Sequence, residues 1–299
     1  MKTAEKVILL FEDSDGFAAA ISDGLQPNPT SSFQTLKECF DLSLEQYGIK
    51  EKVSVNITHF VDSNGAYQVS ILLLQKCEPP VLACAVNEAI ASIAGENSSS
   101  MPTLIIPFLL PEAKLKLDDK ISLKNVNATL HGLQIGSDTD AIKALVNRTQ
   151  KLPSSLKIND EALACSVQLA RVMKIPTFLL VGLSGQSKSN KSYEEDLKVL
   201  CGIGEVLASL SSLSFVREKI TWTPTKTSRE SMEPWRALYY ICRYAGDGLR
   251  LLHLSVGTNS WYFPKLTASF VGFFVLWLAS NWFTLEGQQD WFTSCSSET

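Results

Sequence analysis

Short apolar runs separated by polar turns predict alternating strands and helices in the first part of the chain. The run VILLF at residues 7–11 precedes the polar EDSDG, which is typical of a buried strand that leads into a loop. In residues 33–47 the apolar positions recur at three- and four-residue spacing, which predicts an amphipathic helix. Those positions are Phe33, Leu36, Phe40 and either Leu44 or Tyr47.

A hairpin, a helix and a further strand are predicted next. SVNITHFV and YQVSILLLQ are joined through Ser63-Asn64-Gly65, in which Asn and Gly tolerate the positive φ that a tight turn demands. Pro79-Pro80 ends the hairpin, and the Ala-rich residues 81–94 predict a helix that Gly95 closes. The strand PTLIIPFLL follows. Its Pro107 predicts an edge position, a bulge or a strand end, because proline cannot donate to the ladder.

The remainder of the pattern continues the alternation. Residues 114–135 are ambiguous but favour strand, and residues 138–150 predict a capped helix. Asn159 or Asp160 can cap the helix EALACSVQLARVMK, which precedes the apolar strand IPTFLLVGL and a last helix, SYEEDLKVLCGIGEVLASL. The predicted fold class is therefore α/β, with a mixed central sheet flanked by helices in a single domain, followed by a C-terminal tail.

Three segments follow from this pattern and from a change in composition. Residues 1–220 form the predicted α/β domain, residues 221–240 a C-terminal segment, and residues 241–299 a tail. All six tryptophans lie beyond residue 221, and the tail contains a single lysine, Lys265. We expect the tail to be a non-native extension that is disordered or poorly packed.

Residues 266–285 give the tail an alternative interpretation as a membrane anchor. These residues carry no charge and have about the length needed to cross a hydrocarbon core of roughly 30 Å. Ser269, Ser280 and Asn281 lie within the stretch, so membrane insertion is the less favoured interpretation.

Composition and charge narrow the function classes. The net charge is −4, and the Lys and Arg residues are scattered, so we expect no nucleic-acid partner. The seven cysteines are widely spaced and lack the pattern of a zinc site, so we expect reduced, mostly buried thiols and no bound metal. The apolar run near the N-terminus is too short for a secretion signal. We therefore expect the protein in the cytoplasm, with the nucleus as a second location.

Candidate catalytic residues are few. His131 is the histidine of the main domain that stands near polar residues, but no nucleophile motif accompanies it. VGLSGQS at residues 181–187 follows a predicted strand, and CGIGEVL at 201–207 contains Gly-x-Gly, yet neither matches a nucleotide-binding or nucleophile motif. The paired acidic residues lie in loops or at helix starts, where their carboxylates face solvent or cap the positive end of a helix. We therefore expect no enzyme activity and no cofactor.

One segment resembles a known family. Residues 159–182, in which a helix leads through Lys174-Ile175-Pro176 into a buried strand, resemble proteasome assembly chaperone 1 in its plant-like form. The order of the other predicted elements agrees with that family over residues 1–240. The tail would be an atypical extension.

The resemblance implies a non-catalytic chaperone of the 20S proteasome α-ring. Such a protein would pair with a second, related assembly chaperone and hold proteasome α subunits. It also implies a C-terminal hydrophobic-Tyr-X motif that docks between α subunits, and Leu238-Tyr239-Tyr240 has that form. The motif needs a free carboxylate and a buried tyrosine ring, whereas in this chain it is internal. We therefore expect a form that ends near Tyr240 to dock and the tail to block docking.

Two other functions remain open at this point. The first is an enzyme with a nucleoside-phosphorylase-like α/β scaffold, which would use the loop after the strand at 176–183. The second is a tail-anchored membrane protein.

Overall fold

The apolar strand runs assemble into one eight-stranded sheet, which we describe from a computed structural model. The structure describes residues 2–95, 101–111, 115–116, 130–152, 157–158, 160–184, 190–220 and 222. All of them fall within one compact unit, residues 1–225.

The strands are β1 (Lys6–Phe11), β2 (Leu25–Pro27), β3 (Gln34–Leu42), β4 (Val53–Val61), β5 (Tyr67–Leu74), β6 (Thr103–Pro111), β7 (Leu115–Lys116), β8 (His131–Ile135), β9 (Gln150–Lys151), β10 (Lys157–Ile158), β11 (Thr177–Ser184) and β12 (Leu213–Phe215). The helices are α1 (Phe17–Gly24), α2 (Val81–Ala94), α3 (Asp140–Val146), α4 (Glu161–Val172) and α5 (Asn190–Ser211), with 3₁₀ turns at Glu45–Tyr47 and Arg217–Lys219.

The main sheet contains both parallel and antiparallel pairs. Its strand order is β3-β4-β5-β1-β6-β11-β8-β9, while β7 pairs with β10 and β2 with β12 in two small ribbons. The central strands β5, β1, β6 and β11 run parallel, whereas β3, β4 and β5 form an antiparallel meander and β8 is antiparallel to β11. The predicted fold class, α/β with a mixed central sheet flanked by helices, is confirmed.

Helices cover both faces of the sheet. Ile8 and Leu10 of β1 belong to one buried cluster with residues of α1, α3 and α5. Val7 and Leu9 are also fully buried, and they point to the opposite face because side chains alternate along a strand. The helices α2 and α4 contact each other. The strongly apolar runs of the central strands follow from this burial on two sides.

The helix predicted over residues 33–47 is wrong. Residues Gln34–Leu42 form the edge strand β3, and only a 3₁₀ turn at Glu45–Tyr47 has helical character. A four-residue spacing is also a multiple of two, so Leu36 and Phe40 share one face of a strand as readily as one face of a helix. Pairing with β4 along the whole strand decided the outcome.

The helix α1 has no counterpart among the predicted elements. Asp13 stabilises its N-terminal end. The Asp13 carboxylate accepts hydrogen bonds from the backbone N–H groups of Asp15, Phe17 and Ala18 at 2.9, 3.1 and 3.0 Å. Eight residues are too few to show a clear helical period in the sequence.

Pro107 lies in a central strand rather than at a sheet edge. β6 is hydrogen-bonded on both sides, and Pro107 is opposite Leu180 of β11. Pairing between β6 and β1 ends at Ile105, so the missing N–H of Pro107 costs no ladder bond on that side. The predicted edge position is wrong, because β6 has a neighbour on each side. A strand end describes only the pairing of β6 with β1, since the pairing with β11 continues to Pro111.

Several other predictions can be compared with the structure. The hairpin is confirmed, although only Gly65 of its turn has a positive φ, at 77°. The helix predicted over 138–150 is shorter, since α3 ends at Val146 and Gln150–Lys151 form β9. Residues 117–129 and nearly all of 221–299 lie outside the described residues. Trp222 is an exception, and it packs in the core with its ring stacked on Tyr193 at 5.8 Å.

Candidate interaction surface and buried polar groups

The turn between α4 and β11 carries the sequence resemblance. Asp160 caps α4, accepting a hydrogen bond from the backbone N–H of Leu163 at 3.1 Å. Lys174 then adopts a left-handed conformation with φ 55°, which is uncommon for a residue other than glycine. Ile175 is fully buried, and the carbonyl of Pro176 accepts a hydrogen bond from the N–H of Leu104 at 2.8 Å. Lys174-Ile175-Pro176 thus leads the chain directly into the centre of the sheet.

The exposed edge of the sheet at β3 is the main candidate for an interaction surface. Within the described residues no strand pairs with the outer side of β3, which is nine residues long and contains no proline. Leu36 and Phe40 lie on one face of it with 42% and 43% of their surface exposed. The opposite sheet edge, β9, has only two residues. We call Gln34–Leu42 with its outer edge the β3 edge surface.

Contacts with α2 hold the end of this surface in place. Tyr47, in the 3₁₀ turn after β3, donates a hydrogen bond from its hydroxyl to Glu88 of α2 at 2.6 Å. Burial, and then the hydrogen bond to Glu88, raise the pKa of Tyr47 to about 12. The tyrosine therefore stays a neutral donor over the physiological range. The edge strand is anchored through both β4 and α2.

A histidine and a serine form a buried polar pair beneath the β3 edge surface. His59 Nδ1 lies 2.8 Å from Ser70 Oγ, and Ser70 Oγ also accepts a hydrogen bond from the N–H of Ala4 at 2.9 Å. Glu38 of β3 approaches His59 Nε2 to 3.9 Å. The order Ser-His-Glu resembles a hydrolase triad, but Ser70 is 0% and His59 1% exposed, so no substrate can reach the hydroxyl.

The pair therefore holds structure together. Burial lowers the pKa of His59, although the charge of Glu38 acts in the opposite direction, so the ring is neutral. Sequence patterns missed this contact. Val61 is opposite Tyr67 next to the turn, and a register shift between Phe60 and Val61 then brings His59 opposite Ser70. The turn residues alone do not reveal that shift.

His131, the candidate singled out from the sequence, is a buried residue at the start of β8. It is 4% exposed, and neither ring nitrogen has a hydrogen-bond partner among the described residues. Burial lowers its pKa, so the imidazole is neutral. Its neighbours on the adjacent strands are Val181 of β11 and Gln150 of β9.

The five described cysteines are free thiols, as expected. Cys84, Cys165 and Cys201 are buried, Cys77 is half-buried, and Cys39 on β3 is exposed. Burial raises the pKa of Cys165 to about 12, so this thiol is not ionised at neutral pH. In the described ranges no group of three or more His, Cys, Asp or Glu residues could hold a metal ion.

One glycine of the Gly-x-Gly in CGIGEVL, Gly204, allows α5 to pack closely against β12. A Cβ on Gly204 would lie 2.2 Å from the ring of Phe215, so the glycine lets β12 approach α5 closely. The same addition at Gly202 would meet only Leu130, at 3.8 Å. Of VGLSGQS, residues up to Ser184 form the end of β11, and the loop at 185–189 lies outside the described residues.

Two open clefts lie on the described surface. One of about 260 Å³ lies between α3 and α5 and is lined by Lys6, Asp140 and Arg148 among others. The other, of about 510 Å³, borders the face of β3 that carries Lys37 and also contains Asp23. Each cleft is lined by two basic side chains and one acidic side chain, and Lys219 is the second basic group of the larger cleft.

Two further predictions concern parts of the chain that the structure does not describe. Leu238, Tyr239 and Tyr240 lie outside the described residues, as does the apolar stretch 266–285. Within the described ranges, no helix combines the length and apolar character that crossing a membrane requires.

Taken together, the fold and its surfaces define a mixed α/β domain with one long open sheet edge. The chain belongs to the family described as Domain of unknown function (DUF7894), whose family model matches residues 1–240. Residues 241–299 lie outside that match. No protein among those with curated function matches the sequence.

Several solved structures are similar at low identity. A protein of unknown function from Corynebacterium glutamicum has 11% identity and a TM-score of 0.45, with 85% of this chain and 89% of that chain covered. An archaeal proteasome activator from Pyrococcus furiosus has 9% identity and a TM-score of 0.43, over 74% and 89%. The 5′-methylthioadenosine nucleosidase of Arabidopsis thaliana has 12% identity and a TM-score of 0.39, with 70% of this chain and 95% of that chain covered. Similarity at this level carries no functional argument.

Proposed function

We propose that this protein is a non-catalytic chaperone that promotes assembly of the 20S proteasome α-ring as a heterodimer with a second assembly chaperone. The observation that carries the proposal is the segment 159–182, whose sequence resembles proteasome assembly chaperone 1. The helix, the turn at Lys174-Ile175-Pro176 and the buried strand that the resemblance requires are all present, as α4, the left-handed turn and β11.

The surface of the domain supports a protein-binding role. Leu36 and Phe40 are two of the few large apolar side chains that are exposed in the described residues, and both lie on β3. Exposed apolar side chains on an open strand are favourable for contacts with another protein, because their burial releases water and the edge provides backbone hydrogen bonds.

The best-placed polar groups have structural roles. Ser70 and His59 are shielded from solvent, and Cys165 is protonated. The backbone at Gly204, which could otherwise approach a phosphate, is covered by the ring of Phe215. Each of these groups would have to be accessible or ionised to react or to bind phosphate. A binding role does not require any of them to react.

Leu238-Tyr239-Tyr240 is the proposed docking motif, and the family match ends at the same residue. The proposal assigns the tyrosine ring to a pocket between α subunits and the terminal carboxylate to a basic side chain there. In the full chain the carboxylate is replaced by a peptide bond, so the tail would block docking.

The test is an affinity pull-down from cytosol with two tagged forms, the full chain and a chain truncated after Tyr240. Mass spectrometry should identify proteasome α subunits and a second assembly chaperone. We expect more α subunits on the truncated form, and Tyr239→Ala in that form should remove the gain. Tyr240→Ala in the same truncated form is the matched control, because the last position of a hydrophobic-Tyr-X motif accepts any side chain and keeps the terminal carboxylate.

The outcomes separate the two parts of the proposal. Absence of α subunits from both forms would contradict the chaperone function. Equal recovery on both forms would contradict only the blocking role of the tail. A rise in melting temperature with phosphate or a nucleoside would instead support the enzyme alternative, since a ligand that binds the folded state raises its stability.

A further inference from the structure

The outward-facing backbone groups of β3 can be assigned from its neighbours. The carbonyl of Ser54 in β4 accepts a hydrogen bond from the N–H of Gln75, next to β5, so the backbone groups of Ser54 face β5. Those of Val55, the next residue, therefore face β3. Val55 is opposite Phe40, and the even-numbered residues of β3 thus bond to β4. The N–H and C=O groups of the odd-numbered residues 35–41 point outward.

The side chains of those outward-bonding residues carry opposite charges at symmetric positions. Lys37 and Asp41 lie on the same face of the strand, two residues on either side of Cys39. An antiparallel copy of β3, related by a two-fold axis at Cys39, places Lys37 opposite Asp41 of the copy, and the reverse. Both charge pairs are favourable in that register, because directly opposite residues on one face are in contact.

Neighbouring registers lack this complementarity. An axis at Lys37, Glu38 or Asp41 sets two like charges directly opposite each other. An axis at Phe40 avoids that, but it pairs Asp41 with Cys39 of the copy. Only the Cys39 register forms two opposite-charge pairs. It also brings the two Phe40 side chains to diagonal positions, where aromatic rings can still touch and cover each other.

We propose that the β3 edge surface binds a second copy of this chain by antiparallel strand pairing, with the two-fold axis at Cys39. The two eight-stranded sheets then continue across the axis, and Leu36 and Phe40 lose exposure. The argument uses only the described residues of β3 and β4. It does not rest on the proposed chaperone function, and its test uses the purified chain alone.

The first measurement is sedimentation equilibrium of the full-length chain over roughly 1–100 µM, a range that detects a dimer of micromolar affinity. We expect a monomer–dimer equilibrium. Lys37→Asp and Asp41→Lys should each weaken the dimer by about tenfold, because each creates two like-charge contacts across the axis. The double variant should restore wild-type affinity, since it exchanges the charges without losing the pairs. Lys50→Asp, at an exposed position outside the strand, is the matched control.

A second variant tests the backbone pairing itself. Cys39→Pro removes an outward N–H and leaves the ladder to β4 intact, so the dimer should be lost while the urea midpoint of unfolding changes little. In the chain with Cys77, Cys242 and Cys295 replaced by Ser, a short bis-maleimide should link two copies through Cys39. Its exposure in the monomer makes the reaction fast.

Three results would overturn the proposal. They are a monomer over the whole concentration range, a dimer that neither single charge reversal weakens, and a dimer in which Cys39 does not cross-link. None of them would affect recovery of α subunits in the pull-down, so the failure of this proposal and of the chaperone function can be distinguished.

Discussion

Ser70→Ala tests whether the buried Ser70–His59 pair stabilises the fold. The Ser70 hydroxyl satisfies two partners, the N–H of Ala4 at 2.9 Å and His59 Nδ1 at 2.8 Å, and all three residues are buried. Alanine fits the same space but leaves both partners without a hydrogen bond. An unsatisfied buried polar group costs about 1–3 kcal/mol, so the expected loss in unfolding free energy is about 2–5 kcal/mol. That is a large share of the roughly 5–15 kcal/mol that stabilises a typical domain.

The assay is urea unfolding at pH 7.5, followed by far-UV circular dichroism. Ser54→Ala is the matched control, because Ser54 lies on β4 of the same sheet and donates to Asp41 at 2.8 Å in an exposed position. Its expected loss is within about 0.5 kcal/mol. The m-value should be the same for all variants, so that a shift in midpoint reports stability.

A double-mutant cycle separates the histidine contact from the Ala4 contact. In a His59→Phe background the Nδ1 atom is gone, so Ser70→Ala leaves only the Ala4 N–H unpaired. The loss in unfolding free energy caused by Ser70→Ala should therefore be smaller in that background than in the wild type, by at least about 1 kcal/mol. A loss for Ser70→Ala no larger than for Ser54→Ala would refute the reasoning. Equal losses in both backgrounds would refute the role of His59.

Two further predictions concern His131 and the glycines of α5. Burial lowers the pKa of His131 below 6.5, so the unfolded chain binds a proton that the folded chain does not. The unfolding free energy should therefore be highest above pH 6.5 and should fall below it, by at most about 1.4 kcal/mol per pH unit for this residue. His131→Leu should reduce that slope in urea titrations at pH 7.5 and 5.5, and an unchanged slope would contradict it. Gly204→Ala should lower stability by about 1–3 kcal/mol through overpacking, whereas Gly202→Ala should raise it by about 0.5–1 kcal/mol through helix propensity. Thermal unfolding that shows the same sign for both would contradict the packing role.

Part of the fold was predictable because the signals were local. The apolar run of β1, the turn at Asn64-Gly65 and the capped helix α4 each depend on neighbouring residues, and each is confirmed. The Gly-x-Gly matches no nucleotide-binding motif, and in the structure it lies within α5, where Gly204 packs against Phe215. The C-terminal motif at Leu238-Tyr239-Tyr240 stays a prediction.

The candidate surfaces were not predictable in the same way. Leu36 and Phe40 fit a helix and a strand equally well by spacing, and only pairing with β4 made them an exposed edge. His131 has polar neighbours in the sequence, but the strand that contains it is buried beside β11.

The sequence by itself therefore determined the alternation of strands and helices, the charge balance and the resemblance at 159–182. Only the tertiary structure decided that β3 is an open edge and that Ser70 and His59 are shielded. The physical reason is that hydrophobic periodicity and capping act between residues close in the chain. Exposure and strand pairing depend instead on which distant segments compete for the same sheet edge and the same buried volume.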